Sequence, residues 1–323
     1  SIGGQQEVWD KQQSIAELIS APDTPASLRK KLQTVLTIRN FASTEMALPD
    51  NDSYRSYADL QRPYVVWNVF AAPRFSTTLK RWCFPFAGCV GYRGYFAKTD
   101  AQNFAKQIAG DGLETYVAGV AAYSTLGWFN DPLLNTVVNR PSARIAGLIF
   151  HELAHQQLYV EGDTAFNEGF ASTVEQEGVR RWLAMHGSEE QREDYARFQQ
   201  RQNDFVDLVT QTRDKLQVLY EQPLSVAEMQ AAKTVIQAEL RLQYQQLKKQ
   251  WGVSVDNSAG YDAWFAQDLN NAQLAAVTTY RDHVPAFQRL LAEQGGDMAA
   301  FYRACRDLGE MPAEQRALAL AAL

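Results

Sequence analysis

The chain lacks most of the features that settle chemistry by composition alone. It has no run of 18 apolar residues, so nothing in it is expected to span a membrane. It has no Gly-rich phosphate loop, no G-x-S-x-G elbow and no internal repeat, which removes those readings. Positive charge is in deficit: the formal net charge is −6, which argues against nucleic acid as a partner. Cysteine is sparse at three residues, and none sits in a cysteine-protease signature. Histidine is nearly as sparse at four, and that scarcity gives weight to where two of them stand.

Those two lie in His151-Glu152-Leu153-Ala154-His155, an H-E-x-x-H. A chance match at this composition arises in roughly 3 of 1,000 such chains. Residues 143–150 (ARIAGLIF) are apolar and helix-compatible, as a buried helix carrying a site should be. On a helix, residues four apart share a face, so both imidazoles can reach one ion. Zn²⁺ accepts two neutral histidines and a carboxylate, and a catalytic zinc keeps a position for water. Glu152 points about 100° round the helix from His151, where it can take a proton from water without binding the metal.

The third ligand follows from geometry. An unbroken helix would put Glu168 about 20 Å from His155, but Glu161-Gly162-Asp163-Thr164 interrupts it. With Gly162 as C-cap and Asp163 or Thr164 as N-cap, an antiparallel helix brings Glu168 back to the level of His155. Glu175, two turns on, is expected to support the site or to replace Glu168 as ligand. The cofactor expected is one Zn²⁺ per chain, held by His151, His155 and Glu168.

H-E-L-A-H followed by Asn167-Glu168-Gly169-Phe170-Ala171 resembles the gluzincin metallopeptidases, particularly the aminopeptidase N type. In that type the Glu of N-E-G-F-A is the third zinc ligand. The spacer here, twelve residues, is shorter than is usual there, and the G-x-M-E-N element that recognises a substrate amino terminus is absent. A broader likeness runs through Trp82-Cys83-Phe84-Pro85, Gly88-Cys89, Tyr92-Arg93-Gly94-Tyr95-Phe96, residues 123–129 (YSTLGWF) and Asp131-Pro132-Leu133-Leu134. These stretches are similar to the predicted bacterial aminopeptidases, a family of zinc-dependent periplasmic lipoproteins. The resemblance implies a periplasmic or membrane-anchored location facing the periplasm, with a signal and a lipidated Cys upstream; the start at Ser1 reads as a mature or trimmed chain. It also implies that the strand before the metal helix lines the cleft and pairs with extended peptide, which makes Tyr116, Tyr123, Ser124 and Thr125 candidate substrate-binding residues. Gluzincins take an oxyanion-holding Tyr or His from beyond the third ligand, which points to Tyr280 and His283. An acidic group should hold a free substrate amine; Glu114 and Asp131 are candidates. Asn270 or Asn271 are candidates to orient a substrate backbone.

Cys83 and Cys89 are close enough to close a small loop by a disulfide in an oxidising compartment, with two reduced core thiols as the alternative. Cys305 reads as a buried apolar residue. Residues 5–47 have helical periodicity broken at Ala21-Pro22-Asp23-Thr24-Pro25, and residues 49–53 form a loop. Residues 64–71 and 115–122 read as strands. The Gln-, Glu- and Lys-rich stretch from Ser188 to Gly252, broken at Gln222-Pro223-Leu224-Ser225, reads as a long antiparallel helical hairpin.

The expected fold is α+β and predominantly helical, with a small sheet beside a zinc-binding helix pair. Residues 1–187 would form the metallopeptidase core, 188–252 the hairpin arm, and 253–323 C-terminal helices packing back. The expected function is zinc-dependent hydrolysis of peptide bonds, as an aminopeptidase. The alternatives are an endopeptidase or oligopeptidase with the same zinc chemistry, and a non-catalytic metal-stabilised scaffold whose hairpin docks a protein partner.

Overall fold

The computed structural model of the protein describes residues 2–84, 88–122, 125, 129–252, 259–278 and 283–323. The fold is α+β and predominantly helical, with small sheets of two or three strands. No described helix is long and apolar enough to cross a membrane. The chain forms two compact units. One comprises Ser1–Val66, Val120–Tyr195 and Tyr280–Leu323; the other comprises Trp67–Gly119 and Ala196–Thr279.

The first unit is built on the helices Ala26–Thr44, Ser142–Gln157 and Thr164–His186. Each places apolar residues at helical spacing on its inner face, among them Leu32, Val35 and Ile38, then Ile149, Phe150 and Leu153, then Phe166, Phe170 and Val174. Helices Val284–Glu293 and Met298–Glu310 close this core, where Phe170 packs on Phe287, Phe301 and Tyr302. Burying aromatic groups of this size supplies much of the driving force. Helices Ser142–Gln157 and Thr164–His186 lie close because glycine stands where they meet. A Cβ on Gly147 would come within 3.1 Å of Glu175 Oε1, and one on Gly178 within 2.4 Å of the Phe150 ring.

A short sheet completes this unit. Gln12–Ser14 runs antiparallel to Ser56–Ala58, which runs parallel to Leu133–Leu134 with Tyr57 opposite Leu133. Gln12–Ser14 interrupts a stretch whose periodicity reads as helix, because three residues of ladder pairing outweigh so weak a local signal. Just before the strand Ser56–Ala58, the Tyr54 amide donates to the Asp131 carbonyl at 2.7 Å.

In the second unit, Val66–Pro73 is the central strand between Arg93–Tyr95 and Leu113–Val120. Trp82–Phe84 pairs with Gly88–Val90, placing Cys83 opposite Cys89, and the two are joined by a disulfide. Helix Glu189–Tyr220 leads into helix Val226–Gln250 through a capping box at Ser225 and Glu228. The two run antiparallel over a seam that includes Leu208, Leu216, Leu240 and Tyr244. Lys233, 1 % exposed, pairs with Glu114 and donates to the Arg74 carbonyl, while the Asn271 amide donates to the same carboxylate.

Candidate metal centre

The site starts from where the first metal helix stops. It ends at Gln157, and Leu158 is already extended. Gly162 is therefore not its C-cap; it sits in the turn that follows, at φ +80°. The Asn167 side chain braces that connection by pairing with both the amide and the carbonyl of Val160, each at 2.8 Å. Asp163 caps the next helix by accepting from the Phe166 amide, and its other oxygen pairs with Arg316 at 2.8 Å. The antiparallel return follows, and His151, His155 and Glu168 converge.

His155 Nε2 lies 3.2 Å from His151 Nε2. Glu168 approaches the same two nitrogens at 3.3 and 3.7 Å. A tetrahedral ion with ligand bonds of 2.0–2.1 Å has edges of about 3.3 Å, so the three separations suit one small cation. The three residues form a group that could hold a metal ion. Glu175 Oε2 lies 3.1 Å from His151 Nδ1. A proton on Nδ1 answers that carboxylate and leaves the Nε2 lone pair for a metal. The Nδ1 of His155 is buried without a partner among the described residues, so Glu175 braces one imidazole and nothing comparable braces the other.

The electrostatics match a site awaiting a cation. Burial lowers the pKa of His151, but hydrogen bonds to Glu168 and Glu175 overcome this and hold it well above its ordinary value. Burial and the neighbouring His151 charge push His155 down to about 4. Burial opposes the charge on Glu168, yet the histidines outweigh it and keep that pKa low. Glu152 behaves differently. Burial raises it to about 7; His151 pulls it down, while Glu168, Asp131 and Glu175 push it up.

Asn51 and Ser53 lie against the helix that carries Glu152. Gln156, one turn on from Glu152, accepts from the Asn51 amide group at 2.7 Å and donates to the Ser53 hydroxyl at 3.3 Å. Arg39, fully buried, holds this segment from behind through the carbonyls of Pro49, Asn51 and Ser53. Tyr54 then turns inward, 2 % exposed, at φ +62°.

A family model matches residues 1–320, and its description is "Putative aminopeptidase". The chain belongs to this family. Membership supports a peptidase and implies a peptide substrate. No curated protein and no solved structure matches the chain significantly.

The other residues singled out in the sequence fall in different places. Tyr116 stacks on Phe70 inside the second unit, at 6.0 Å between ring centroids. Thr125 shapes its own loop, donating its amide to Asp131 at 2.9 Å and its hydroxyl to the Phe129 carbonyl at 3.1 Å. Tyr123, Ser124 and Tyr280 lie outside the described residues. His283 begins the helix Val284–Glu293 and packs against Gly169, the residue after Glu168. Glu114 is committed to Lys233, and Asn271 spends its side chain on Tyr220 and the carbonyls of Pro73 and Arg74. Neither is free for a substrate. Sequence reasoning missed Arg39, Gln156 and Tyr54, which carry no motif. The one available signal was Asn51-Asp52-Ser53, a turn-forming run just before a large aromatic residue.

Proposed function

We propose that the chain is a zinc-dependent aminopeptidase of the gluzincin type, acting on peptides in the bacterial envelope. The observation that carries this is the junction of two features on one helix. Two imidazoles and Glu168 stand at ligand spacing, and Glu152 stands beside them with its proton affinity near neutrality. Two histidines and a carboxylate favour zinc over harder cations. Bound zinc supplies Lewis-acid polarisation of the scissile carbonyl and acidifies water.

The chain's own groups do the rest. Glu175 keeps His151 oriented through Nδ1. Glu152, next to His151 in the chain and on the same helix, accepts the proton of the attacking water and returns it to the leaving amine. The envelope location draws support from the Cys83–Cys89 disulfide, since such bonds persist in oxidising compartments.

The test is metal analysis of the wild type beside Glu168→Ala, followed by hydrolysis of matched peptides with free and acetylated amino termini. About one zinc per chain, lost in the variant, with cleavage only of the free-amine peptide, is the expected result. Cleavage of both peptides at internal bonds would make the chain an endopeptidase. Absence of metal from both proteins after reconstitution would overturn the zinc reading.

A further inference from the structure

Tyr54 departs from ordinary core behaviour in two independent ways. Its backbone lies in the left-handed region at φ +62°, a conformation that costs a bulky residue about 1 kcal/mol or more. Its hydroxyl is buried with no hydrogen-bond partner among the described residues, although buried hydroxyls nearly always have one. Strain of this kind persists only where the surroundings over-determine it, and here they do. Arg39 clamps the preceding carbonyls, Gln156 of the metal helix ties down Asn51 and Ser53, and the Asp131 carbonyl fixes the Tyr54 amide.

What this apparatus presents is a donor without an acceptor, beside an acceptor without a donor. Gln156 lies one turn from Glu152 on the same helix and holds Asn51 and Ser53, which places Tyr54 beside the Glu152 side of that helix. Asp131 already accepts the Thr125 amide. No hydrogen bond among the described residues reaches the Glu152 carboxylate.

We propose that Tyr54 is a positioning residue for Glu152: its hydroxyl turns to donate to the Glu152 carboxylate and fixes the direction in which that carboxylate meets water. This rests on the proposed hydrolytic function. A rotamer-free carboxylate on a helix can swing away from the water it must deprotonate, and small misplacements of a catalytic group cost large factors in rate. A donor behind it removes that freedom.

The bland alternative makes Tyr54 an aromatic filler with a stranded hydroxyl. Tyr54→Phe separates the two, because losing a stranded hydroxyl leaves activity unchanged and stability unchanged or improved. If Tyr54 positions Glu152, kcat for a free-amine peptide falls about 10- to 100-fold, part of the 10²–10⁴ that a general base contributes, while KM moves less than about threefold. In a Glu152→Ala background the same change alters the residual rate less than about twofold, because the group through which Tyr54 acts is gone. A second readout needs neither metal nor activity: urea midpoints of metal-free wild type, Tyr54→Phe, Glu152→Ala and the double variant should be non-additive. Wild-type kcat in Tyr54→Phe, or an equal loss with and without Glu152, overturns the inference. If metal-loaded wild type cleaves no peptide, the proposed function fails by itself. The urea cycle then decides Tyr54, and additive midpoints overturn its pairing with Glu152.

Discussion

Replacing Glu152 by Gln should make the metal-free protein more stable while destroying its activity. The folded protein holds the Glu152 proton up to about pH 7, against an ordinary value of 4.5. The folded state therefore binds more protons than the unfolded state between those values. Stability falls as pH rises through that window and levels off above it. At about 1.4 kcal/mol per pKa step, full expression of the difference costs about 3 kcal/mol. Glu152 is only half-buried and solvent screens part of its charge, so about 1–3 kcal/mol is the expected range. Gln has nearly the same shape and never ionises. Urea unfolding in a chelator at pH 4 should show wild type and variant within about 0.5 kcal/mol, since the Glu152 carboxyl is then largely protonated in the folded and the unfolded chain alike. At pH 8.5 the variant should lead by about 1–3 kcal/mol. The histidines and Glu168 titrate in both proteins and largely cancel in the difference. Peptide hydrolysis should fall by about 10²–10⁴. A gap between the two proteins that is the same at both pH values would refute the reasoning, because the cost would then not be ionisation.

Three further outcomes follow from the same geometry. Glu175→Ala removes the group that orients His151 and should weaken zinc binding about 10- to 100-fold in a chelator competition; unchanged affinity would mean that Glu175 does not set the tautomer. Because the His151 pKa in the metal-free protein is held well above its ordinary value by Glu168 and Glu175, metal must displace that proton. Apparent affinity should drop as pH is lowered from 8 to 6, with about one proton released per ion by calorimetry in buffers of different ionisation enthalpy, and a flat profile would contradict the charge arrangement. Gly178→Ala forces a methyl into the Phe150 ring and should destabilise the protein by about 1–3 kcal/mol in thermal unfolding; a melt at wild-type temperature would show that the helices can separate without cost.

The metal trio was legible in the sequence because its information is local. The i, i+4 histidine spacing, the interrupting Gly162 and the capping Asp163 all act within one or two turns of chain, and the helix-return geometry follows from them. The strands 64–71 and 115–122 and the hairpin were legible through β-branched runs and a Pro-marked break, although their ends shifted by one or two residues. Other features were not legible. Arg39 looks in sequence like any helical surface arginine, and only tertiary packing buries it among carbonyls from a loop. Tyr54 follows a turn-forming run, and its amide is fixed by the Asp131 carbonyl, a contact far along the chain that no local pattern announces. The strand Gln12–Ser14 and the partners of Glu114 and Asn271 are likewise long-range pairings. Local rules found the residues proposed to hold the ion, and long-range contacts decided what surrounds the proposed base.

All the candidate ligands and the brace on His151 come from one uninterrupted stretch, Ser142–His186, folded back on itself. Helix pairs of this kind assemble quickly, because their contacts are close in sequence. A nascent or partly unfolded chain can therefore present the ligand pocket before the residues near 39 and 54 have docked. If these residues hold an ion as proposed, metal content reports the formation of this helical pair, and activity reports the docking of residues 39 and 54 as well. Specific activity in a purified preparation is better normalised to a probe of the docked Arg39 segment than to bound metal.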